Sequence, residues 1–319
     1  MALSMEEYIA WLETERQLIW PQPPPIVPVK ATPYLKKIPG IRAVLWNLYG
    51  TLLHISEGEL LFSHPQPLRM QIALDKTIHE FNMWQSMTRK PGAPWEYLLP
   101  KYQQLLDSAR MTATRRKGDV PEIDTAQIWE KLISRLEQKE YQYDVAFYGD
   151  REELAEKVAY FFHASLQGVD VYPRGLETMQ AVLAAGYRQG LLADVQSFSL
   201  PQMLRVMGRG GKLNDLTEII TPGCVTLSIA RGVRKPSISL FEASVDELGE
   251  LGIRPEAILY ISSRLPDDLA IAKRMGMRTA LFAGDKTSLR AGGDELKNPE
   301  MRPDRLLTEL YQVTQLLDL

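Results

Sequence analysis

Five short clusters hold the residues whose types could do chemistry. Asn47-Leu48-Tyr49-Gly50-Thr51 ends one apolar run, Ala193-Asp194 ends another, and Ser262-Ser263 ends a third. Arg234-Lys235-Pro236 stands ahead of a helical pattern, and Asp267-Asp268 follows the serines at the start of another. An ammonium, hydroxyls and free backbone N–H groups at helix starts suit an anion. A carboxylate such as Asp194 suits nucleophilic or acid–base work. Asn47 offers an amide with no anionic oxygen, which is a poor nucleophile. Tyr49 offers a phenol that titrates at about pH 10 in model compounds, a poor base at neutral pH. Each cluster also has a plain structural reading. Asn47 can satisfy backbone groups at a strand end, Lys235 can be a surface lysine, and Asp267-Asp268 can be helix N-terminal charge favoured by the macrodipole.

Other reactive types are poorly placed. His54, His64, His79 and His163 lack metal-ligand spacing with one another or with Cys224. His54 reads as a loop residue just past the Gly-Thr-Leu-Leu turn. Cys224 is the single cysteine, in an apolar-rich stretch, and reads as a small buried hydrophobe. Trp84, Trp95 and Trp129 read as core aromatics, and Arg115-Arg116-Lys117 as a solvated helix end.

Strand ends must be gathered for the clusters to meet. Residues 41–46 are a short apolar run, as expected of a strand buried on both faces. From Val171 the pattern alternates. Helices are predicted over 173–186, 200–207, 236–251 and 265–275, and strands over 189–193, 257–261 and 278–282, with an edge strand at 303–307. Strands alternating with helices imply right-handed crossovers and a parallel sheet. The fold class is therefore α/β, a doubly wound parallel sheet, whose site lies at the carboxyl ends of the strands. Between the first and second strands, residues 68–87, 95–111, 125–139 and 151–167 read as helices, with Asp124-Thr125 as the N-cap of the third. A first amphipathic helix over 5–19 precedes Pro21-Gln22-Pro23-Pro24-Pro25-Ile26-Val27-Pro28, an extended arm or linker.

The five clusters, in this order, resemble the haloacid dehalogenase-like superfamily. Its first strand ends in Asp-x-Asp-Gly-Thr or Asp-x-Tyr-Gly-Thr, and its second in Ser or Thr. A Lys-Pro pair opens a later helix, and its fourth strand ends in Gly-Asp or Ser-Ser with an acid four or five residues on. The resemblance implies a Rossmann-like core over 41–53 and 172–319, an all-helical cap inserted at 54–171, and an N-terminal helix and arm over 1–40. It also makes the departures informative. Asn47 stands at the nucleophile position and Tyr49 at the acid–base position, although tyrosine there is normal for the dehalogenase branch. Ala193 replaces a hydroxyl, and Ser263 replaces a metal-binding aspartate, while Ser262-Ser263 is similar to the dehalogenase pattern. Thr51, Asp194, Lys235, Asp267 and Asp268 remain, with Thr51 and Lys235 as anion-binding candidates. Magnesium prefers carboxylate oxygens, and those implied at 47 and 263 are missing, so no metal or other cofactor is expected.

A formal net charge of −3 over 319 residues excludes a broadly basic, nucleic-acid-binding surface. No run of 18 apolar residues is present, so a membrane span is not expected. The acidic N-terminus lacks an apolar leader core, and one cysteine permits no internal disulfide; both fit a cytoplasmic protein. Three functions fit the residues. The first is a non-catalytic member that binds a small anion or a protein partner. The second is an active phosphatase or 2-haloacid dehalogenase using another nucleophile, such as Asp194 or a water. The third is a structural or assembly protein.

Overall fold

The computed structural model describes residues 2–16, 18–87 and 92–319. Its sheet-forming segments are β1 (Ala43–Trp46), β2 (Leu53–Ile55), β3 (Val120–Pro121), β4 (Val169–Val171), β5 (Arg188–Ala193), β6 (Val225–Leu227), β7 (Val233–Arg234), β8 (Ile258–Ser262), β9 (Arg278–Phe282) and β10 (Arg305–Leu307). Six of them form a sheet in the order β10-β9-β8-β1-β5-β6, and every pairing in it is parallel. Trp46 of β1 is opposite Leu191 of β5 and Ile261 of β8. The residues that follow these three strands therefore emerge side by side at one edge.

The alternating side-chain direction of a strand explains burial on both faces. Val44, Trp46, Leu191, Leu259 and Ile261 join one apolar cluster. Ala43, Leu45, Leu192, Ile258 and Tyr260 join another. The first face is covered by α7 (Gly175–Ala184), α8 (Ser199–Met207) and α13 (Val313–Leu317). The second is covered by α10 (Ile238–Glu250) and α11 (Ala270–Arg274). Short helices α9 (Ser228–Arg231) and α12 (Gly293–Lys297) lie in connections.

Between β2 and β4 the chain forms α2 (Pro67–Glu80), α3 (Pro94–Arg110), α4 (Thr125–Glu137), α5 (Val145–Tyr148) and α6 (Arg151–Leu166). Tyr102, Trp129, Phe161 and Phe162 are buried among these helices. Asp124 caps α4 by accepting from Ala126 N and Gln127 N, as its sequence predicts. Two short antiparallel ladders tie this insert to the sheet domain. Leu53 and Ile55 pair with Val171 and Val169 at its root, and Val120 pairs with Arg234.

Several expectations are corrected. The insert is not wholly helical, because β3 supplies a ladder strand. The helix expected over 68–87 ends at Glu80, where Asn82 adopts φ 52°, and a separate tight turn follows at Met83–Met87. The first helix, α1, covers Met5–Thr14 and not 5–19. Its Tyr8, Ile9 and Leu12 are buried in the same cluster as the insert's aromatics. The segment 265–275 opens as a π-helical turn, Leu265–Leu269, before α11. Strand β6 was not anticipated: three residues carry too little pattern, and its place is set by Gly190, where a Cβ would lie 1.5 Å from Cys224 O. Cys224 is buried as expected, but Trp84 is 38% exposed. His54 lies in β2, not in a loop, and is buried. Among the described residues no helix is long and apolar enough to cross a membrane.

Candidate functional site at the strand ends

Asn47 directly follows β1, and its backbone N donates to Ile261 O of β8 (2.9 Å). Its side chain is spoken for at both ends. Asn47 Nδ2 donates to Tyr49 O (3.0 Å), and Oδ1 accepts from Lys235 Nζ (2.8 Å). Gly50 adopts φ +78°, and a Cβ there would meet Gly58 O at 2.6 Å, so this turn accepts only glycine without rearrangement. Tyr49 points away from the other groups. Its hydroxyl donates to Gln202 Oε1 (2.7 Å) and lies 2.9 Å from Ser199 Oγ, both on α8. Burial pushes the phenol well above its ordinary value, so it stays protonated. Thr51 Oγ1 accepts from Ser263 N (3.1 Å), joining the β1 turn to the end of β8.

Lys235 precedes α10 and reaches inward with its side chain 1% exposed. Beyond Asn47, its ammonium meets Asp268 Oδ2 (2.8 Å) and Tyr260 OH (3.1 Å). An ammonium has three hydrogens, and three acceptors use them. Asp268 Oδ2 also accepts from Ser262 Oγ (2.6 Å). Tyr260 OH lies 2.9 Å from Leu192 O and 3.0 Å from Asp268 Oδ2. Lys235, Asp268, Tyr260, Ser262 and Asn47 thus form one buried network.

Asp194 stands beside this network, not in it. Its Oδ1 accepts from Lys235 N (2.9 Å), and Oδ2 lies 3.8 Å from Arg234 Nη2 with no hydrogen-bond partner among the described residues. Ala193 is fully buried at the end of β5 and offers no donor or acceptor beyond its backbone. Asp267 is half-buried; burial and the neighbouring Asp268 raise its carboxyl above the ordinary value. Ser263 Oγ is buried without a hydrogen-bond partner among the described residues.

Asn47, Asp194, Arg234 and Arg264 line a cavity of about 20 Å³ together with Glu122 of the insert and Glu59. That is room for about one water molecule. Arg264 donates to Gly58 O (3.1 Å) and Glu59 Oε2 (3.0 Å). Burial, reinforced by Asp194, pushes the Glu122 carboxyl up to about 7 against the pull of Arg234. The insert is held over this cavity by Gln196. Its Oε1 accepts from Thr125 N (2.9 Å) and Thr125 Oγ1 (2.8 Å), and its Nε2 donates to Ile123 O (2.8 Å).

A model of the HAD-hydrolase-like family matches residues 232–313. The 2-haloacid dehalogenase from Pseudomonas syringae pv. Tomato DC3000 has the same fold: 18% identity, 87% of this chain and 98% of that chain covered, TM-score 0.52. Residues 232–313 thus match that family's model, and the chain shares the fold of the haloacid dehalogenase-like superfamily. A HAD phosphatase from Thermococcus onnurineus aligns at 16% identity over 87% of this chain and 98% of its own, with TM-score 0.48. No curated protein matches the sequence.

The superfamily's sequence pattern implies a magnesium ion at these strand ends, and the donors present do not fit one. An amide stands at 47 and a hydroxyl at 263, and the amide oxygen already has an ammonium 2.8 Å away. Among the described residues no three His, Cys, Asp or Glu side chains cluster as a metal site would require. Of the three aspartates at the strand ends, the one that pairs with the Lys235 ammonium is Asp268. Sequence reasoning missed Tyr260, Arg264, Gln196 and Glu122. Tyr260 reads as one more apolar strand residue, and the other three come from loops with no motif. Only the first of them has a usable signal, a phenol inside an inner strand, which needs a buried partner.

Proposed function

We propose that this chain is a non-hydrolysing member of the superfamily, whose former active site joins the insert to the sheet and which acts by binding a protein partner. One observation carries the reading: the Lys235 ammonium is fully used by Asn47, Asp268 and Tyr260 inside the protein. No carboxylate stands at 47 to attack a substrate, and no donor of Lys235 is left for an anion. The Thr51 hydroxyl oxygen accepts from Ser263 N, which fixes it in the turn after β1. A cavity sized for about one water favours a protein partner over a small anion as the thing bound. The same donor set supports a metal-free site.

The test is hydrolysis of p-nitrophenyl phosphate and 2-chloropropionate, with and without millimolar Mg²⁺, by wild type and by Asp194→Asn. Wild type is expected to match the blank, and Mg²⁺ is expected to leave the melting temperature where an equal ionic strength of sodium salt leaves it. The rival reading, a hydrolase using Asp194, has one observation in its favour: Asp194 lines the cavity, and its Oδ2 has no hydrogen-bond partner among the described residues. Turnover in wild type that Asp194→Asn abolishes would establish it instead.

A further inference from the structure

Residues 20–38 run from the insert, across its root, to the far edge of the sheet. Trp20 packs edge-on against Phe161 of α6, with 5.2 Å between ring centres. The Lys76 ammonium of α2 lies 5.9 Å from the same ring. Pro21, Gln22 and Pro23 then cross Gly168, between α6 and β4, where the insert returns to the sheet. A Cβ at 168 would lie 2.3 Å from Pro21 O and 2.4 Å from Pro23 N, so any other residue would push the chain away.

Beyond that crossing the attachments are to the sheet domain. Val27 N donates to Asp285 Oδ1 (3.1 Å), and Lys286 N donates to Val27 O (2.8 Å). Tyr34 N donates to Leu306 O on β10 (2.9 Å), and Ile38 N to Leu316 O on α13 (2.9 Å). Asp285 is a prepared anchor. It is 1% exposed and also accepts from Thr287 N (3.0 Å), Thr287 Oγ1 (2.7 Å) and Tyr172 OH (3.2 Å). Between anchors, Ile26, Val29 and Ala31 stand over a cavity of about 460 Å³ floored by Tyr172, Phe282 and Leu310. The segment is therefore held at points and not by a filled interface, which makes it cheap to detach.

We propose that residues 20–38 are a strap that holds the insert closed over the strand ends, and that its release frees the insert to lift from the cavity at Asn47. The insert is rooted by the three-residue ladder β2–β4 and is also tied by the Val120–Arg234 pairing and by Gln196, so the strap adds to these bonds. Rotation about that root has to break either the Trp20 contact or the Val27–Asp285 bond while the strap is in place. The inference concerns the mobility of the insert and holds whether or not the site turns anything over.

Amide hydrogen exchange on the full chain tests it, using Trp20→Ala, Gly168→Val, and the double variant Trp20→Ala/Val27→Pro, which removes the Trp20 contact and the Val27 N–Asp285 bond together. Peptides spanning 118–126, which carry β3 and the Gln196 partners, are expected to exchange at least about tenfold faster than in wild type. Peptides spanning 258–262, in the middle of the sheet, should keep their protection. If Gly168→Val also deprotects the sheet, the double variant decides. Wild-type exchange of 118–126 in the double variant overturns the strap, whether or not the arm's own amides speed up.

Discussion

Lys235 and Asp268 face each other with side chains 1% and 0% exposed, a buried pair whose desolvation is offset only because Asn47, Tyr260 and Ser262 complete the network. Removing one partner leaves a buried charge alone. Asp268→Ala is expected to lower stability by about 3–5 kcal/mol in urea unfolding. Lys235→Met combined with Asp268→Leu should recover most of that loss, since a hydrophobic replacement of both ions costs little. An equal loss in the single and double variants would show that the network stabilises through packing alone. Glu122 supplies a second residue-scale prediction. Its folded value of about 7 lies above the ordinary 4.5, so the folded state holds the proton more tightly than the unfolded chain. That contribution is fully present below about 4.5 and is lost as pH rises through about 7. Glu122→Gln should therefore gain stability relative to wild type between pH 5 and pH 8, on the order of 2 kcal/mol. The comparison has to be a difference between the two proteins. His163, pushed down to about 3 by burial, gives the opposite slope in both, losing stability as pH falls below the ordinary 6.5. A flat difference curve would mean that Glu122 ionises freely.

At the scale of elements, the sheet and the insert are joined by few bonds, and each is identifiable. Gln196 alone satisfies Thr125 N, Thr125 Oγ1 and Ile123 O. Gln196→Ala orphans these buried groups and is expected to cost about 2–4 kcal/mol. Exchange at 120–126 should rise, while the sheet keeps its protection. A rise spread evenly over the whole chain would instead make insert and sheet one cooperative unit. Within the sheet, β5 and β6 can pair only because Gly190 leaves room for Cys224 O, 1.5 Å from where a Cβ would stand. Gly190→Ala is expected to abolish recovery of folded protein, measured as the soluble fraction after expression at equal levels.

For the whole molecule, the N-terminal 38 residues do more than lead into the sheet. Tyr8, Ile9 and Leu12 of α1 belong to the insert's apolar cluster, and α1 also packs on α8 of the sheet domain. Fully burying such side chains contributes about 1.5–3 kcal/mol each. Deleting residues 2–33 is expected to lower the melting temperature strongly and to expose surface that binds a hydrophobic dye. The six-stranded sheet should remain, because its β1 begins at Ala43. A truncated protein with wild-type melting and no dye binding would mean that the segment covers nothing.

The sequence by itself determined the parallel α/β sheet and the places of its principal strands along the chain, but not their order in the sheet. Apolar runs such as 43–46 and 278–282 and the helical periodicities between them are local, and local pattern suffices for elements and crossovers. By resemblance it also implied that Asn47 stands where the superfamily's pattern has an aspartate, because the neighbouring Tyr-Gly-Thr turn and the later Lys-Pro and Ser-Ser clusters align the strand ends. Tertiary structure alone decided which aspartate neutralises Lys235, where the Tyr49 hydroxyl points, and that Glu122 lines the cavity. Asp194, Asp267 and Asp268 are chemically alike in sequence. What separates them is a few ångströms and the degree of burial, and the packing of β8 against β1 and the π-helical turn at Leu265–Leu269 set both. Likewise the proline run announces an extended chain, but only the fold brings Trp20 to α6 and Val27 to Asp285, contacts between residues 141 and 258 positions apart.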